Sequence, residues 1–317
     1  MKQYRVFLFD MDGVMTQELC YWKAAAMTVW EFLYREDPAV MVSREEEIFE
    51  TVFCGKEIIH NAKQAGVNTN YDLSYVTAAL AYGFINEKRP FECVRDFFRE
   101  RPRRVPLLYA QCLEAAGGAG WEYQGRVWHQ LYDLFQSWYL GDGTEKEGMM
   151  QLEQPLFPPQ QLKNFLMQLR EKGIEAGIGT GRPRPEIVPH LKRWGLLELF
   201  DQQRIITQSE IDSAQKRARE LGRDVSLSKP HFYIFGKGVA GLSFDDMAVL
   251  DRRFDLSLLE KTLVIGDAGA DIYAAKALGV DFAAVLTGVS GKAERSFFEE
   301  LHADYIFDNV FGLLELL

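Results

Sequence analysis

The chain has 317 residues, 47% hydrophobic and 26% charged, a globular mix long enough for one large domain or two ordinary ones. Its formal net charge of −10 argues against a nucleic-acid backbone or an anionic membrane as main partner, although one local cation or metal would still suit an anionic small substrate. Four cysteines, Cys20, Cys54, Cys93 and Cys112, lack CxxC spacing and nearby paired histidines, which reads as a reduced, cytoplasmic protein.

The run YRVFLFD (4–10) is almost wholly apolar and rich in β-formers, as expected of a strand buried on both faces of a parallel sheet. Asp10 and Asp12 interrupt it too soon for a signal peptide, and no uncharged apolar run approaches the roughly 20 residues of a membrane helix. From about Met15 to Glu153 helical patterns dominate, with Trp22, Ala26, Trp30 and Leu33 at helical spacing. Ser43 with Glu46 has the form of a capping box ahead of IFETVF. Segments 71–84 and 126–140 read as helices, and 117–120 and 141–148 as loops. A helix is expected over 158–173, with Pro158 and Pro159 at its start and Gly173 after its end. A strand over 174–180, a helix over 185–195 and a strand over 204–207 follow. The last part reads as a strand (262–267), a helix (271–279), a strand (281–288) and a short strand (303–309). Strands alternating with helices imply an α/β fold with a Rossmann-like, doubly wound parallel sheet. Residues 1–15 and 155–317 would form this core, with an all-helical domain, 16–154, inserted after the first strand.

Polar clusters fall at the carboxyl ends of three expected strands, where open parallel sheets bind ligands: Asp10 and Asp12, then Thr180-Gly181-Arg182, then Asp267 with Asp271. A fourth cluster, Ser228-Lys229-Pro230, lies in a connection. Each has an ordinary reading when taken alone, as a strand-end turn, a helix cap or a solvated loop lysine. Arg182 and Arg184 could equally be surface arginines near a helix start. The five histidines show no metal spacing, and Gly117, Gly118 and Gly120 have no strand before them, so they do not read as a nucleotide-binding loop.

In order and together, DMDG (10–13), TGR (180–182), SKP (228–230) and GDAGAD (266–271) resemble the haloacid dehalogenase superfamily, and the layout is similar to its phosphoglycolate phosphatase-like members, whose helical cap is inserted after the first motif. The resemblance implies a Mg²⁺-dependent phosphatase acting on a small phosphorylated metabolite through an aspartyl-phosphate. Asp10 would be the nucleophile and Asp12 the acid and base. Asp10 and Asp267 would ligate Mg²⁺ with the backbone carbonyl of Asp12, and Asp271 would act through water or by orienting Asp267. Thr180 and the backbone N–H groups after Asp10, at Gly13, and at Gly181 would hold the phosphoryl oxygens, with Lys229 and Arg182 adding positive charge. Rival readings are a phosphomutase, a phosphonate hydrolase with Lys23 as its cap lysine, and a non-catalytic binding protein on the same fold. The 236–255 stretch reads as extra material between Lys229 and Asp267.

Overall fold

Apolar runs too short for helices become six parallel strands in the computed structural model, which describes residues 2–67, 69–100, 104–289 and 291–317. They are β1 (Val6–Phe9), β2 (Glu175–Gly179), β3 (Ile205–Ile206), β4 (Thr262–Gly266), β5 (Asp281–Val285) and β6 (Tyr305–Phe307), in the sheet order β3-β2-β1-β4-β5-β6. Every neighbouring pair is parallel. The chain steps from β1 outward to β3, then returns to the other side of β1 for β4, so the order reverses between β1 and β4. Phe9 is paired with Ile265 at the carboxyl end of this junction, which is where doubly wound sheets open a ligand crevice.

The continuous apolar character of β1 follows from cover on both faces. Phe7 and Phe9 enter one core with Leu162, Phe165, Leu166 and Leu169 of the helix Pro159–Glu171. Val6 and Leu8 enter the opposite core with Tyr233, Ile234 and Phe235. All four β1 side chains are 1% exposed or less, and burial on this scale stabilises by about 1.5–3 kcal/mol per large side chain.

The stretch expected to be extra material is instead partly core. The helix Tyr233–Ala240 lies against the sheet. Its close approach explains Gly179 of β2, where a Cβ would stand 2.6 Å from a ring carbon of Phe235; a Cβ on Gly177 would instead meet Arg204 Cβ at 2.6 Å and Leu8 Cδ2 of β1 at 2.7 Å. A further helix that the apolar pattern did not announce, Gln208–Glu220, is started by a capping box in which Glu210 accepts the Thr207 N–H at 2.7 Å.

Contacts divide the chain into two units, Met1–Gln17 with Gln154–Leu317, and Glu18–Glu153. Among the described residues, the regular structure of the second unit is helical. Its long helices Leu19–Tyr34, Asn70–Gly83 and Arg126–Leu140 pack together, and carboxylates inside the unit accept indole N–H groups: Trp128 donates to Asp72 at 2.8 Å and Trp138 to Glu31 at 2.7 Å. The capping box expected at Ser43 does not form. Ser43 ends the helix Pro38–Ser43 and its hydroxyl donates back to Val40 O at 2.7 Å, so Arg44 precedes the next helix, Glu45–Phe53. Among the described residues no helix is long and apolar enough to cross a membrane.

Gly179→Ala tests the close packing of helix on sheet. Restricting the unfolded chain should stabilise by about 0.4–1 kcal/mol, but overpacking against Phe235 should outweigh it and destabilise by about 1–3 kcal/mol. A urea midpoint equal to or above that of the wild type would refute the steric account.

Candidate active site

Backbone bonds at strand ends fix the candidate residues before any side chain is considered. Asp10 N–H donates to Ile265 O (2.8 Å), tying the residue after β1 to β4, and Thr180 N–H donates to Ile206 O (3.0 Å), tying the residue after β2 to β3. Asp271 sits in the first turn of the helix Gly269–Leu278, where its carboxylate accepts the Ala268 N–H at 3.3 Å. Lys229 comes from the connection before the helix Tyr233–Ala240, and its Nζ stands 5.1 Å from the centroid of the Phe235 ring.

These elements bring four side chains to one point. Lys229 Nζ lies 2.9 Å from Asp10 Oδ1 and 2.7 Å from Asp271 Oδ1. Asp10, Asp267 and Asp271 each offer a carboxylate oxygen, all within 4.8 Å of one another. Burial pushes the Asp10 carboxyl up to about 7; Asp271 and Asp12 push the same way and Lys229 opposes them. Burial acts to lower Lys229, but Asp10 and Asp271 outweigh it and hold the ammonium above its ordinary range. Two of the three carboxylates thus contact one ammonium. An oxygen-only set with excess negative charge fits a hard divalent cation.

Asp12 belongs to a second group. Thr16 Oγ1 donates to Asp12 Oδ1 at 3.0 Å, Arg182 Nε donates to Asp12 Oδ2 at 3.0 Å, and Arg182 Nη2 donates to Asp12 Oδ1. The Asp12 carboxylate therefore stands outside the three-carboxylate group, which leaves only its backbone for the expected cation role. Arg182, considered from sequence as a phosphate contact, is turned to Asp12 instead, with its side chain 2% exposed. Arg184 is similarly committed, to Glu210 at 2.9 Å and Ile205 O at 2.6 Å.

Gly13 has a different use from the one expected. Its N–H donates to Thr16 O at 3.0 Å, so the amide is spent within the loop. What the position requires is the absence of a side chain: φ is +70°, and a Cβ would lie 2.1 Å from Asp267 Oδ2. Gly288 does the same from the end of β5, where a Cβ would lie 2.2 Å from that oxygen. Thr287 Oγ1 donates to Gly13 O at 2.5 Å and joins the two loops. Sequence reasoning missed Thr287 and Gly288, although a Thr-Gly pair at the end of the expected strand 281–288 repeats the Thr180-Gly181 signal. Space around Gly181 is open, with no atom within 4 Å of a Cβ position, and Thr180 Oγ1 accepts the Arg182 N–H at 3.2 Å, which leaves the hydroxyl hydrogen to donate.

Lys23, the candidate cap lysine, lies in the helical unit with its Nζ against Glu45 and Glu46. Burial acts to lower its pKa, but the two glutamates overcome this and raise it. A lysine that forms a Schiff base needs the opposite shift.

A doubly wound parallel sheet with carboxylates and a lysine at its switch point is the core of an α/β enzyme. The family model for haloacid dehalogenase-like hydrolases matches residues 4–279, and the chain belongs to that family. No curated protein matches it in sequence. Among solved structures, it is similar to a Northeast Structural Genomics Consortium target, at 22% identity and a TM-score of 0.77 over 99% of this chain and 98% of the other. That likeness shows the fold. Lower similarities extend to a haloacid dehalogenase-like family hydrolase from Streptococcus pneumoniae, at 13% identity and a TM-score of 0.47 over 100% and 99% of the two chains. A predicted phosphoglycolate phosphatase from Haemophilus somnus gives 14% identity and a TM-score of 0.48 over 100% and 98%.

The raised Asp10 pKa has a measurable sign. In metal-free protein the folded state holds this proton up to about pH 7, whereas the unfolded chain releases it near 3.8. The stability linked to that proton is complete below the lower value and lost as pH rises through the higher one. Asp10→Asn abolishes the titration. In EDTA, its thermal midpoint relative to wild type should therefore climb by several degrees between pH 5 and pH 8. A difference independent of pH would contradict the electrostatic account.

Proposed function

We propose that this hydrolase is a Mg²⁺-dependent phosphatase that cleaves a phosphate monoester of a small metabolite through an aspartyl-phosphate on Asp10. The observation that carries the reading is Lys229 held against both Asp10 and Asp271, with Asp267 converging on the same point. A carboxylate nucleophile attacking an anion needs neutralising charge, and this arrangement supplies one ammonium beside an oxygen site for a divalent cation.

Asp10 and Asp267, with the Asp12 backbone carbonyl, would hold Mg²⁺, and Asp271 would support them. When bound, the cation would draw charge from the phosphoryl oxygens. An Asp10 carboxylate oxygen bonds to phosphorus as the ester P–O bond breaks, and Asp12 gives a proton to the departing oxygen. Water then attacks the phosphorus, Asp12 takes up its proton, and the P–O bond to Asp10 breaks to release inorganic phosphate. Lys229 keeps Asp10 oriented and balances the charge carried by the transferring group. The Thr180 hydroxyl and the open backbone at Gly181 suit the phosphoryl oxygens. These are the positioning and electrostatic parts that phosphoryl transfer requires. The helical insertion Glu18–Glu153 stands in sequence where the family carries its cap, and a family cap of this kind favours a small molecule over a protein substrate.

The test is release of inorganic phosphate from 4-nitrophenyl phosphate and a panel of phosphorylated metabolites. Release should require Mg²⁺, stop in EDTA and fall to background in Asp10→Asn. Mg²⁺ should also raise the wild-type thermal midpoint more at pH 8 than at pH 5.5, since the cation competes with the proton on Asp10. Failure to release phosphate from any ester, in protein whose midpoint responds to Mg²⁺, would overturn the phosphatase reading.

A further inference from the structure

Arg182 is an unusual residue to find enclosed. Its side chain is 2% exposed, and a buried guanidinium is costly unless it is paired and hydrogen-bonded. The pairing is with Asp12, through Nε to Oδ2 at 3.0 Å and through Nη2 to Oδ1. Nη2 also donates to Gln17 O at 3.2 Å, so one nitrogen joins the carboxylate to the end of its own loop. The backbone of Arg182 is fixed on both sides: its N–H donates to Thr180 Oγ1 at 3.2 Å and its carbonyl accepts from Gln208 N at 2.9 Å. With the Thr16 hydroxyl on Oδ1 at 3.0 Å, three donors on two loops set the orientation of one carboxylate.

We propose that Arg182 is a positioning residue: it aims the Asp12 carboxylate at the leaving oxygen and does not bind the substrate phosphate. This rests on the phosphatase reading above, in which Asp12 transfers the proton. A planar two-pronged donor fixes both the position and the tilt of a carboxylate, whereas a lysine at the same place supplies charge from a single point. Proton transfer is sensitive to that aim, and a displacement of about 1 Å can cost about 100-fold.

The consequence is selective. A proton donor matters most when the leaving group is a poor one. An Arg182 defect should therefore depend on the ester, whereas loss of a phosphate contact would affect all esters alike.

The experiment compares kcat/KM for phenyl phosphate and 4-nitrophenyl phosphate, two esters of similar shape whose leaving groups differ in basicity. In Arg182→Lys and Arg182→Met, kcat/KM for phenyl phosphate should fall about 100-fold and that for 4-nitrophenyl phosphate less than about fivefold. In an Asp12→Asn background, Arg182→Lys should bring no further loss, because the proposed role acts through the Asp12 carboxylate. Circular dichroism and the Mg²⁺-dependent rise in thermal midpoint verify folding and an undisturbed carboxylate cluster, and Arg182→Lys retains the charge should the Met variant fail to fold. Equal losses on the two esters with a raised KM would assign Arg182 to the phosphate and overturn the proposal. An added loss in the Asp12→Asn background would overturn it as well. A wild-type protein inactive on both esters would instead strike at the phosphatase reading, a result distinct from either.

Discussion

Carboxylates gathered out of water repel one another and lose hydration, and the core unit is arranged around meeting that cost at one point. Lys229 answers it directly, reaching Asp10 and Asp271 at 2.9 and 2.7 Å. The sheet answers it geometrically. Parallel strands aim their carboxyl ends the same way, so β1 and β4, far apart in sequence, deliver Asp10 and Asp267 side by side. The helix after β4 turns Asp271 inward within one turn. Helices on both faces of the sheet keep the strand ends dry enough for the charges to act strongly on one another.

Two aspartates only two residues apart are given opposite settings. Asp10 shares an ammonium with Asp271 and is pushed up to about 7 by burial and by neighbouring carboxylates. Asp12 is enclosed by a two-pronged arginine and a threonine hydroxyl. Under the proposed chemistry this separation has a use: the nucleophile must face the phosphoryl group and the cation, while the proton carrier must face the leaving oxygen. Gly13 makes the separation possible, because its left-handed backbone turns the chain back at once and leaves room for the Asp267 carboxylate.

Much of this was legible in the sequence, and the misses have physical causes. Strands buried on both faces announce themselves as unbroken apolar runs, which is why β1, β4 and β5 fall close to their expected limits. Three of the four motif clusters were visible because polar residues directly after such runs stand out; Ser228-Lys229-Pro230, in a connection, was legible only through its order with the others. The partner of Arg182 was not visible: an arginine after a threonine reads equally as a phosphate contact, and only folding shows that Asp12, 170 residues away in the chain, accepts from its Nε and Nη2. Tyr233–Ala240 was undervalued for a related reason. Gly236 and Gly238 lower helix propensity, and the reason for Gly238, where a Cβ would lie 3.0 Å from Leu8 Cδ1, appears only once the sheet lies beneath it. Gln208–Glu220 was overlooked because its buried face is narrow, consisting of Ile211, Ala214 and Ala218. The Ser43 motif misled because a capping box is a local pattern, and the preceding proline-started helix claimed the serine first.

The cluster is also a poor device for stability, and this bears on the choice between an enzyme and a retired relative. Replacing a buried ion pair by well-packed apolar side chains is often neutral or stabilising by about 1–4 kcal/mol. Asp10, Lys229 and Asp271 are instead held together at the carboxyl ends of the strands, with the Asp271 side chain only 1% exposed. The Arg182–Asp12 pair poses the same question a second time in the same unit. Two partly buried ionic groups at the switch point of one sheet, one given room by Gly13 and Gly288 and the other held by the Thr16 hydroxyl, are better explained by the placement of charge for a reaction than by the requirements of folding.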